Sequence, residues 1–596
     1  MSGIAGVFHL NGAPVDPTWL EKMSSSLAFR GPDGGHVWSG AGAGLCHTLL
    51  RTTPENHSDS EFELQPCTLD GQVWIAADAR IDDRDALLAK LQPRSQRDLR
   101  AASSAQLILH AYALWGVDCV EHLLGDFAFI LWDAPHRRVF CARDHLGVRP
   151  LFYCQVGQCL LVSNTLDCLR QFPLVPADLN DQAVADFLLF SMNREADTTF
   201  FSAIRRLPAA HRLVASAEGL VLEKFWDLPI DEPLYLRRPE QYVEQFWGLM
   251  NASLRDRLPG GALGISMSGG IDSSALAATS VGLGASPVAF TTVTAADDPE
   301  GMYASSVAKR LAIPIYVRNL QDEPHEWPPE DPPLHTNEPV ANVLGLSSGW
   351  PWPSGPRPRV ILHGEGPDNA LTYEWRAYLA YLYHQGRWGQ IARDLVTHIA
   401  AHRRIPLLPT LPRKLRETVD PLPAMVFPVW LNAELISRLQ LRERWEQFHR
   451  GAPAGHPVRP DSDRSFRDVI WPDLLESLDD TAAHLSFEFR YPYLDLRLLR
   501  FFLAVPAMPW CRRKHLLRRA LRGRLPEEVL DRPKTPVKGS LPAERGRGIA
   551  MPSWQPPSVL SRYLDWGLVS TANTRNWAEY DASMRAIGLH YWLLGV

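Results

Sequence analysis

Ala262-Leu263-Gly264-Ile265-Ser266-Met267-Ser268-Gly269-Gly270-Ile271-Asp272-Ser273-Ser274 runs from an apolar, strand-length stretch through two glycines into a helix of small residues. The helix reads from Ser273 to Thr279, followed by a strand over Val288 to Thr294. A helix from about Gly301 to Leu311, a strand near Pro314 to Val317 and a further buried strand, Arg359 to His363, come next. Strands alternating with helices in this order predict a parallel sheet. The loop itself predicts an anion site. Gly269 and Gly270 let the backbone approach a ligand closely, and the free N–H groups and dipole at the helix start favour phosphate. Ser268, Ser273 and Ser274 add hydroxyl donors. Asp272 belongs beside an anion only with a cation between them, which implies Mg²⁺. No Gly-Lys-Ser/Thr ends the loop, so it is not a Walker A loop.

Working outward, a helix is expected from about Pro239 to Leu258 before the loop. From about residue 375 onward the pattern is mostly helical. Residues 321–359, rich in Pro and Trp, read mainly as loop, and residues 205–240 contain a linker, Phe225-Trp226-Asp227-Leu228-Pro229. The first 170 residues read as short strands, among them Val73 to Ala77 and Phe127 to Trp132, with one helix from about Ala105 to Trp115 capped by Ser103 or Ser104. The 596 residues suggest two to four domains, with 45% apolar and 21% charged residues as in soluble globular proteins. A net charge of −6 offers nucleic acid no global attraction. No apolar stretch approaches the roughly 18 residues that span a bilayer. The first residues lack a signal peptide's basic region. Eight cysteines without a C-x-x-C pair indicate neither zinc nor a disulfide framework. The expectation is a cytoplasmic protein without nucleic-acid or membrane partners.

S-G-G-x-D-S at Ser268–Ser273 is similar to the pyrophosphate loop of N-type ATP pyrophosphatases. Its five fixed positions would match by chance in such a chain with probability on the order of 10⁻³. Other stretches resemble the asparagine synthetase superfamily specifically. His363-Gly364-Glu365-Gly366-Pro367-Asp368-Asn369 resembles S-G-E-G-x-D-E, with His363 and Asn369 as departures. Asn337-Glu338-Pro339 resembles D-E-P, and Glu488 to Asp495 resembles E-x-R-x-P-F-L-D. Lys514 to Arg518 resembles K-x-x-L-R, and Arg532-Pro533-Lys534 resembles R-x-K. Arg30-Gly31-Pro32-Asp33, Gly125 to Phe129 and Ala142 to Leu151 are family-like in the N-terminal half. The resemblance implies a two-domain chain of mixed α/β and α+β class. Residues 1–229 would form a glutaminase-like αββα sandwich of the Ntn type. Residues 230–596 would form an adenine-nucleotide α-hydrolase-like (PP-loop) synthetase domain with a parallel sheet and a helical C-terminal part. It implies ATP and Mg²⁺ as cofactors. Ser268, Gly269, Gly270, Asp272, Ser273 and Ser274, with His363 and Gly364, would hold the nucleotide, and Asp272 and Asp368 the metal. Glu365 would act as proton acceptor and Lys534 would stabilise charge in the transition states. His363 is open to a second reading, a satisfied buried histidine. The ten Lys/Arg between Cys511 and Lys538 meet phosphates or an acidic peptide, or form a solvated face.

The resemblance also implies an inactive glutaminase. The family's nucleophilic cysteine falls on Ser2, its pocket arginine on Leu49, its N-G-E on Asp78-Ala79-Arg80 and its late aspartate on Ser104. Losing the Arg–carboxylate clamp should cost several kcal/mol of glutamine binding. The N-terminal domain is then a scaffold, a surface for a homodimer or a wall of the synthetase site. Another amine must serve as nucleophile. The opening residues and Arg30 to Gly34 resemble lasso peptide cyclases, which adenylate an Asp or Glu side chain of a leaderless precursor peptide and close a macrolactam on its N-terminal amine. Such an enzyme works with a leader peptidase and a leader-recognition protein. An α-amine near pKa 7.7–8.0 is about a tenth neutral at pH 7, so it needs little beyond positioning and a proton acceptor. A chamber lined by tryptophan, of which the chain has 20, is expected to hold the peptide. The alternative is an ammonia-dependent asparagine synthetase or a β-lactam synthetase-like ligase, although the latter branch has a Tyr where this chain has Glu365.

Overall fold

A computed structural model describes residues 2–53, 64–95, 98–320, 336–341, 357–403, 426–451, 455–533, 556–570 and 577–595. Lys534 and most of the 321–359 stretch lie outside the described residues.

The N-terminal half forms two six-stranded sheets face to face. In one, the strands run in the order Arg205–Arg206, Phe152–Val156, Cys159–Ser163, Gly3–His9, Ala43–Thr48, Gly35–Gly40. In the other the order is Gly219–Lys224, His211–Ser216, Arg138–Arg143, Gly125–Asp133, Val73–Ile81, Cys67–Thr68. Alternation puts Ile4, Phe8, Leu45, Ala128, Ile130 and Val162 between the sheets in an apolar core. The opposite face of the first sheet packs on the Pro17–Ser26 and Asp181–Phe190 helices through Val7, Leu20, Val184 and Phe187. The second sheet packs on the Ser104–Trp115 helix through Ile108, Phe129 and Phe140. These are the four αββα layers expected. Ser103 caps the last helix, its hydroxyl accepting from Gln106 N while the Gln106 side chain returns to the Ser103 N–H.

The second half contains a five-stranded, wholly parallel sheet in the order Ile315–Asn319, Val288–Val293, Leu263–Ser266, Val360–Leu362, Glu488–Arg490. The chain leaves the central strand, Leu263–Ser266, toward one side and later returns on the other. The phosphate-type loop therefore sits at the switch point, beyond the strand's carboxyl end, where open α/β sheets bind ligands. Helices Pro239–Arg257 and Ile271–Gly282 flank the sheet.

Several features depart from the expectations. Helices Pro17–Ser26 and Arg84–Leu91 join Ser104–Trp115 where one helix was expected, and strand Glu488–Arg490 forms in the stretch read as mostly helical, because its neighbour Val360–Leu362 offers it a sheet edge. The C-terminal helix, Trp577–Leu594, returns to the N-terminal domain, where Trp592 sits 5.3 Å from Phe200 and 5.5 Å from Phe201 between ring centroids. Trp430, Trp471, Trp510 and Trp592 are buried in cores, and none lines the cavity beside the phosphate loop. Among the described residues the phosphate-loop cavity thus has no tryptophan wall, whereas Trp226 and Trp471 line a separate cavity of about 270 Å³. The buried indoles supply core area, which a large apolar side chain does best when fully covered.

The halves are clamped by buried charge. Helix Ile470–His484 presents Glu476, Asp479 and Asp480 to arginines of the N-terminal domain. Arg30 bonds Asp479, Arg143 reaches Glu476 at 2.8 Å, and Arg206 bridges Glu476 at 3.0 Å and Glu338 at 2.7 Å. Arg149 reaches Glu488 at 2.8 Å and Asp479 at 3.6 Å.

Candidate active site

Gly269 has φ +67°, and a Cβ there would lie 2.6 Å from Ala304 N, so only glycine fits the turn. Gly270 is the residue before the first turn of helix Ile271–Gly282, whose N–H groups therefore face the cavity mouth. Ser268 Oγ accepts from Gly270 N at 3.4 Å and lies 3.5 Å from Ser273 Oγ. Ser274 is fully buried behind the loop and does not reach the cavity. Gly364 lies against the loop from the neighbouring strand, and a Cβ there would come within 3.4 Å of Ser273 N. Tyr493 donates to the Asp272 carbonyl at 2.8 Å and fixes the first turn of the helix.

The cavity at this loop measures about 370 Å³, within the usual range for a small-molecule site. Ser268, Gly270 and Asp272 form one wall, and Asp368, Leu371, Thr372 and Tyr373 another. Arg513, Lys514, Arg518 and Arg532 close it with positive charge. Four of the ten basic residues of the patch thus face the cavity. Others are tied elsewhere, Arg519 to Glu240 at 2.8 Å and Arg524 over the Trp247 ring.

The carboxylates of Asp272 and Asp368 both approach one side chain, Lys514. Between them stands Lys514 Nζ, bonded to Asp272 and 2.6 Å from Asp368. Lys514 and its neighbour Arg513 both have positive φ, +53° and +49°, a strained pair that aims both side chains at the acids and the cavity. The position between the two acids therefore favours a cation. Two carboxylates plus substrate phosphates are a donor set that suits Mg²⁺, a hard ion that keeps few protein ligands. Sequence reading missed Lys514 as a site residue. Its signal was the K-x-x-L-R stretch, which gives no hint that the side chain crosses to Asp272.

Glu365 stands on the loop after strand Val360–Leu362. Burial, with the charges of Asp368 and Asp272, raises its carboxyl above the usual range. His363 is packed edge-on against Phe489 at 5.2 Å and Tyr491 at 5.9 Å, and burial pushes its imidazole down to about 4. It is a neutral, buried ring 3.9 Å from Glu365. Glu488 and Arg490 are buried as an ion pair.

The N-terminal site is nearly closed. Ser2 N donates to Asp78 Oδ1 at 3.0 Å, and Leu50 N donates to Ser2 Oγ at 3.4 Å. The cavity over Ser2 measures about 40 Å³, room for about three waters. Two guanidiniums border it, yet neither is available to a ligand carboxylate. Arg80 is held by Asp82 at 2.8 Å and Asp126 at 2.7 Å, and Arg149 by Glu488. Leu49 and Ser104 offer no replacement charge. Ser2→Ala is accordingly expected to leave ATP turnover within twofold of the parent, and glutamine is expected to yield no glutamate in a coupled glutamate assay with either protein.

A sandwich with an N-terminal-residue pocket, joined to a parallel sheet with a phosphate loop at its switch point, defines a two-domain amidotransferase-plus-ligase. Residues 1–226 match the glutamine amidotransferase domain family and residues 248–548 the asparagine synthase family. The chain belongs to the asparagine synthetase superfamily of ATP-dependent ligases. It is 24% identical to asparagine synthetase [glutamine-hydrolyzing] 3 of Bacillus subtilis, over 95% of this chain and 92% of that one. It is 25% identical to a putative glutamine-hydrolyzing asparagine synthetase of Mycobacterium tuberculosis, over 86% of this chain and 83% of that one. A solved glutamine phosphoribosylpyrophosphate amidotransferase from B. subtilis covers 53% of this chain and 65% of its own, with 13% identity and a TM-score of 0.27. All eight cysteines are free. No helix among the described residues is long and apolar enough to cross a membrane.

Proposed function

We propose that the chain is a lasso peptide cyclase. It adenylates an Asp or Glu side chain of a leaderless precursor peptide and joins it to the peptide's N-terminal α-amine, releasing AMP and pyrophosphate. One observation carries the reading. The cavity that would process glutamine is shrunk to about 40 Å³ with its arginines neutralised, while the ligase cavity is about 370 Å³ and open. The amine therefore comes from something other than glutamine, and an α-amine on the substrate itself is the most reactive choice at neutral pH.

In this reading ATP lies with its phosphates on Ser268, Gly269, Gly270 and Ser273. Asp272 and Asp368 would hold Mg²⁺, which would neutralise phosphate charge. Lys514 leaves the two acids for the phosphates as the nucleotide enters. The peptide carboxylate attacks the α-phosphorus, pyrophosphate leaves and a mixed anhydride forms. The α-amine attacks that acyl carbon, its proton passes to Glu365 and AMP departs. Lys534 is assigned to charge stabilisation at the same steps. The partners are the precursor peptide, a leader peptidase and a leader-recognition protein. The protein works in the cytoplasm, and the N-terminal sandwich is a scaffold or a homodimer surface.

The test is AMP and pyrophosphate release with Mg-ATP and the leaderless peptide encoded beside the gene, with mass spectrometry of the product. Peptide-dependent AMP with loss of one water from the peptide supports the reading. Asparagine from aspartate and ammonium, with an inert peptide, overturns it in favour of the ammonia-using ligase. The pH profile is a second check. Glu365 accepts a proton only when ionised, and its carboxyl is raised above 4.5. Cyclisation is expected to rise with pH through that raised value and flatten above it. In Glu365→Gln this acid limb should vanish, with a rate about 10²–10⁴-fold lower.

A further inference from the structure

Helix Trp388–His402 is turned inside out in part. Its inward side carries Asp394, bonded to Tyr378 at 2.6 Å and Gln390 at 2.8 Å. The same side carries His398, which meets Arg512 at 3.2 Å, and His402, which meets the Pro509 carbonyl at 3.0 Å. Its outward side carries Trp388, Ala392, Val396, Ile399 and Ala400, all exposed. Trp388 is 59% exposed, Val396 68% and Ile399 40%. Positions 388, 392, 396 and 399 follow the i, i+4, i+8, i+11 spacing of a single apolar seam. Tyr383, 56% exposed on the adjoining helix Trp375–His384, extends it, its ring 4.9 Å from Trp388. A scattered exposed apolar residue needs no explanation, whereas an aligned stripe does.

The surroundings specify the occupant. Across residues 375–403 there are four arginines, Arg376, Arg387, Arg393 and Arg403, and one acid, Asp394, which is buried; Arg387 is paired with Glu232 at 3.4 Å, so the face's charge rests on the other three. Arg393 borders the stripe, Arg403 ends it and Arg376 is exposed on the adjoining helix. A second copy of this hairpin would set arginine against arginine, so charge disfavours self-pairing. A one-residue-wide seam containing Ala392 and flanked by Gly389 and Ala400 admits a helix backbone closely. We propose that the outward face of helix Trp388–His402 is a docking surface for an amphipathic helix with acidic flanks, belonging to another protein. The inward face of the same helix rests on the segment that leads to Lys514. A docked partner would therefore lie about one helix diameter, ~10 Å, from the wall of the ligase cavity. That placement suits a protein that delivers or retains substrate, and the surface stands whether or not the substrate is a lasso precursor.

The test uses the full chain and a fluorescently labelled synthetic peptide of three heptads, with Leu at a and d and Glu at e and g, read by anisotropy. The same peptide with Lys at e and g is the control. The acidic peptide is expected to bind at least tenfold more tightly than the basic one. Val396→Glu should weaken it at least tenfold. Arg393→Glu with Arg403→Glu should reverse the preference between the two peptides. Unchanged thermal unfolding would show that these exposed substitutions leave the fold intact. Equal binding of both peptides, or no binding of either, overturns the proposal. So does concentration-dependent dimerisation abolished by Val396→Glu, which makes the occupant a second copy. Sedimentation with phosphatidylserine vesicles that Val396→Glu abolishes, without peptide binding, makes it a membrane and overturns the proposal too.

Discussion

Asp272→Ala is expected to reduce ATP-dependent ligation by about 10³-fold, equivalent to ~4 kcal/mol in the barrier. Three consequences combine. The change removes one of the two carboxylates that face the cation position, leaving Asp368 alone. It leaves Lys514 with only one of the two acids that hold it, Asp368 at 2.6 Å. It also deletes the acid in the first turn of helix Ile271–Gly282, where a negative charge is favourable by only about 0.3–1 kcal/mol. Activity and stability therefore separate. Pyrophosphate release measured at saturating Mg-ATP should fall by three orders of magnitude, while the unfolding midpoint moves by a degree or two. Asp272→Asn should behave like the alanine variant in activity, because the amide keeps shape and loses charge. An Asp272→Ala protein retaining a tenth of parental turnover would show that the loop's backbone and Lys514 suffice to bind phosphate, and would remove the carboxylate pair from the mechanism.

Arg149→Ala should have the largest effect on stability, about 3–5 kcal/mol. The guanidinium is buried between the domains and serves Glu488 at 2.8 Å, Asp479 at 3.6 Å and Asp78 at 4.0 Å. Burial alone would raise the Glu488 carboxyl, yet Arg490 and Arg149 hold it well below its ordinary value. Deleting one cation leaves buried carboxylates sharing too few partners, and that uncompensated charge is what costs. Urea unfolding of the full chain is the measurement. A loss below about 1 kcal/mol would mean that water enters the interface and solvates the acids. Arg149→Lys should recover part of the loss only, since an ammonium cannot donate in the planar fork that two carboxylates use. Because folded Glu488 ionises below its unfolded value, its contribution is complete above about pH 4–5. It fades as pH falls through the depressed value, so acid should narrow the difference between parent and variant.

The architecture was legible wherever a pattern was local. The strand, loop and helix around Ser268 are set by an apolar run, two glycines and small residues in sequence, and they form as Leu263–Ser266 and Ile271–Gly282. That a serine caps the Ser104–Trp115 helix was legible, since capping is local; that it is Ser103 rather than Ser104 came from the structure. The closed glutaminase pocket was legible in part, since Leu49 and Ser104 lack charge whatever surrounds them. That Arg80 and Arg149, the two guanidiniums still bordering the pocket, are spent on neighbouring carboxylates was not.

By itself the sequence determined the strand and helix alternation around the phosphate loop, the loop with Asp272, and the superfamily, because each rests on residues close together in the chain; helices Pro17–Ser26 and Arg84–Leu91 and strand Glu488–Arg490 were not read from it. Only the tertiary structure decided which charges meet. Lys514 reaches Asp272 across 242 positions of sequence, and Arg149 reaches Glu488 across 339. It also decided that no tryptophan among the described residues lines the phosphate-loop cavity, and that an arginine-flanked apolar seam beginning at Trp388 faces outward on helix Trp388–His402. Such pairings depend on how sheets and helices pack. Packing is settled by the sum of many buried contacts, and no single stretch of chain encodes that sum.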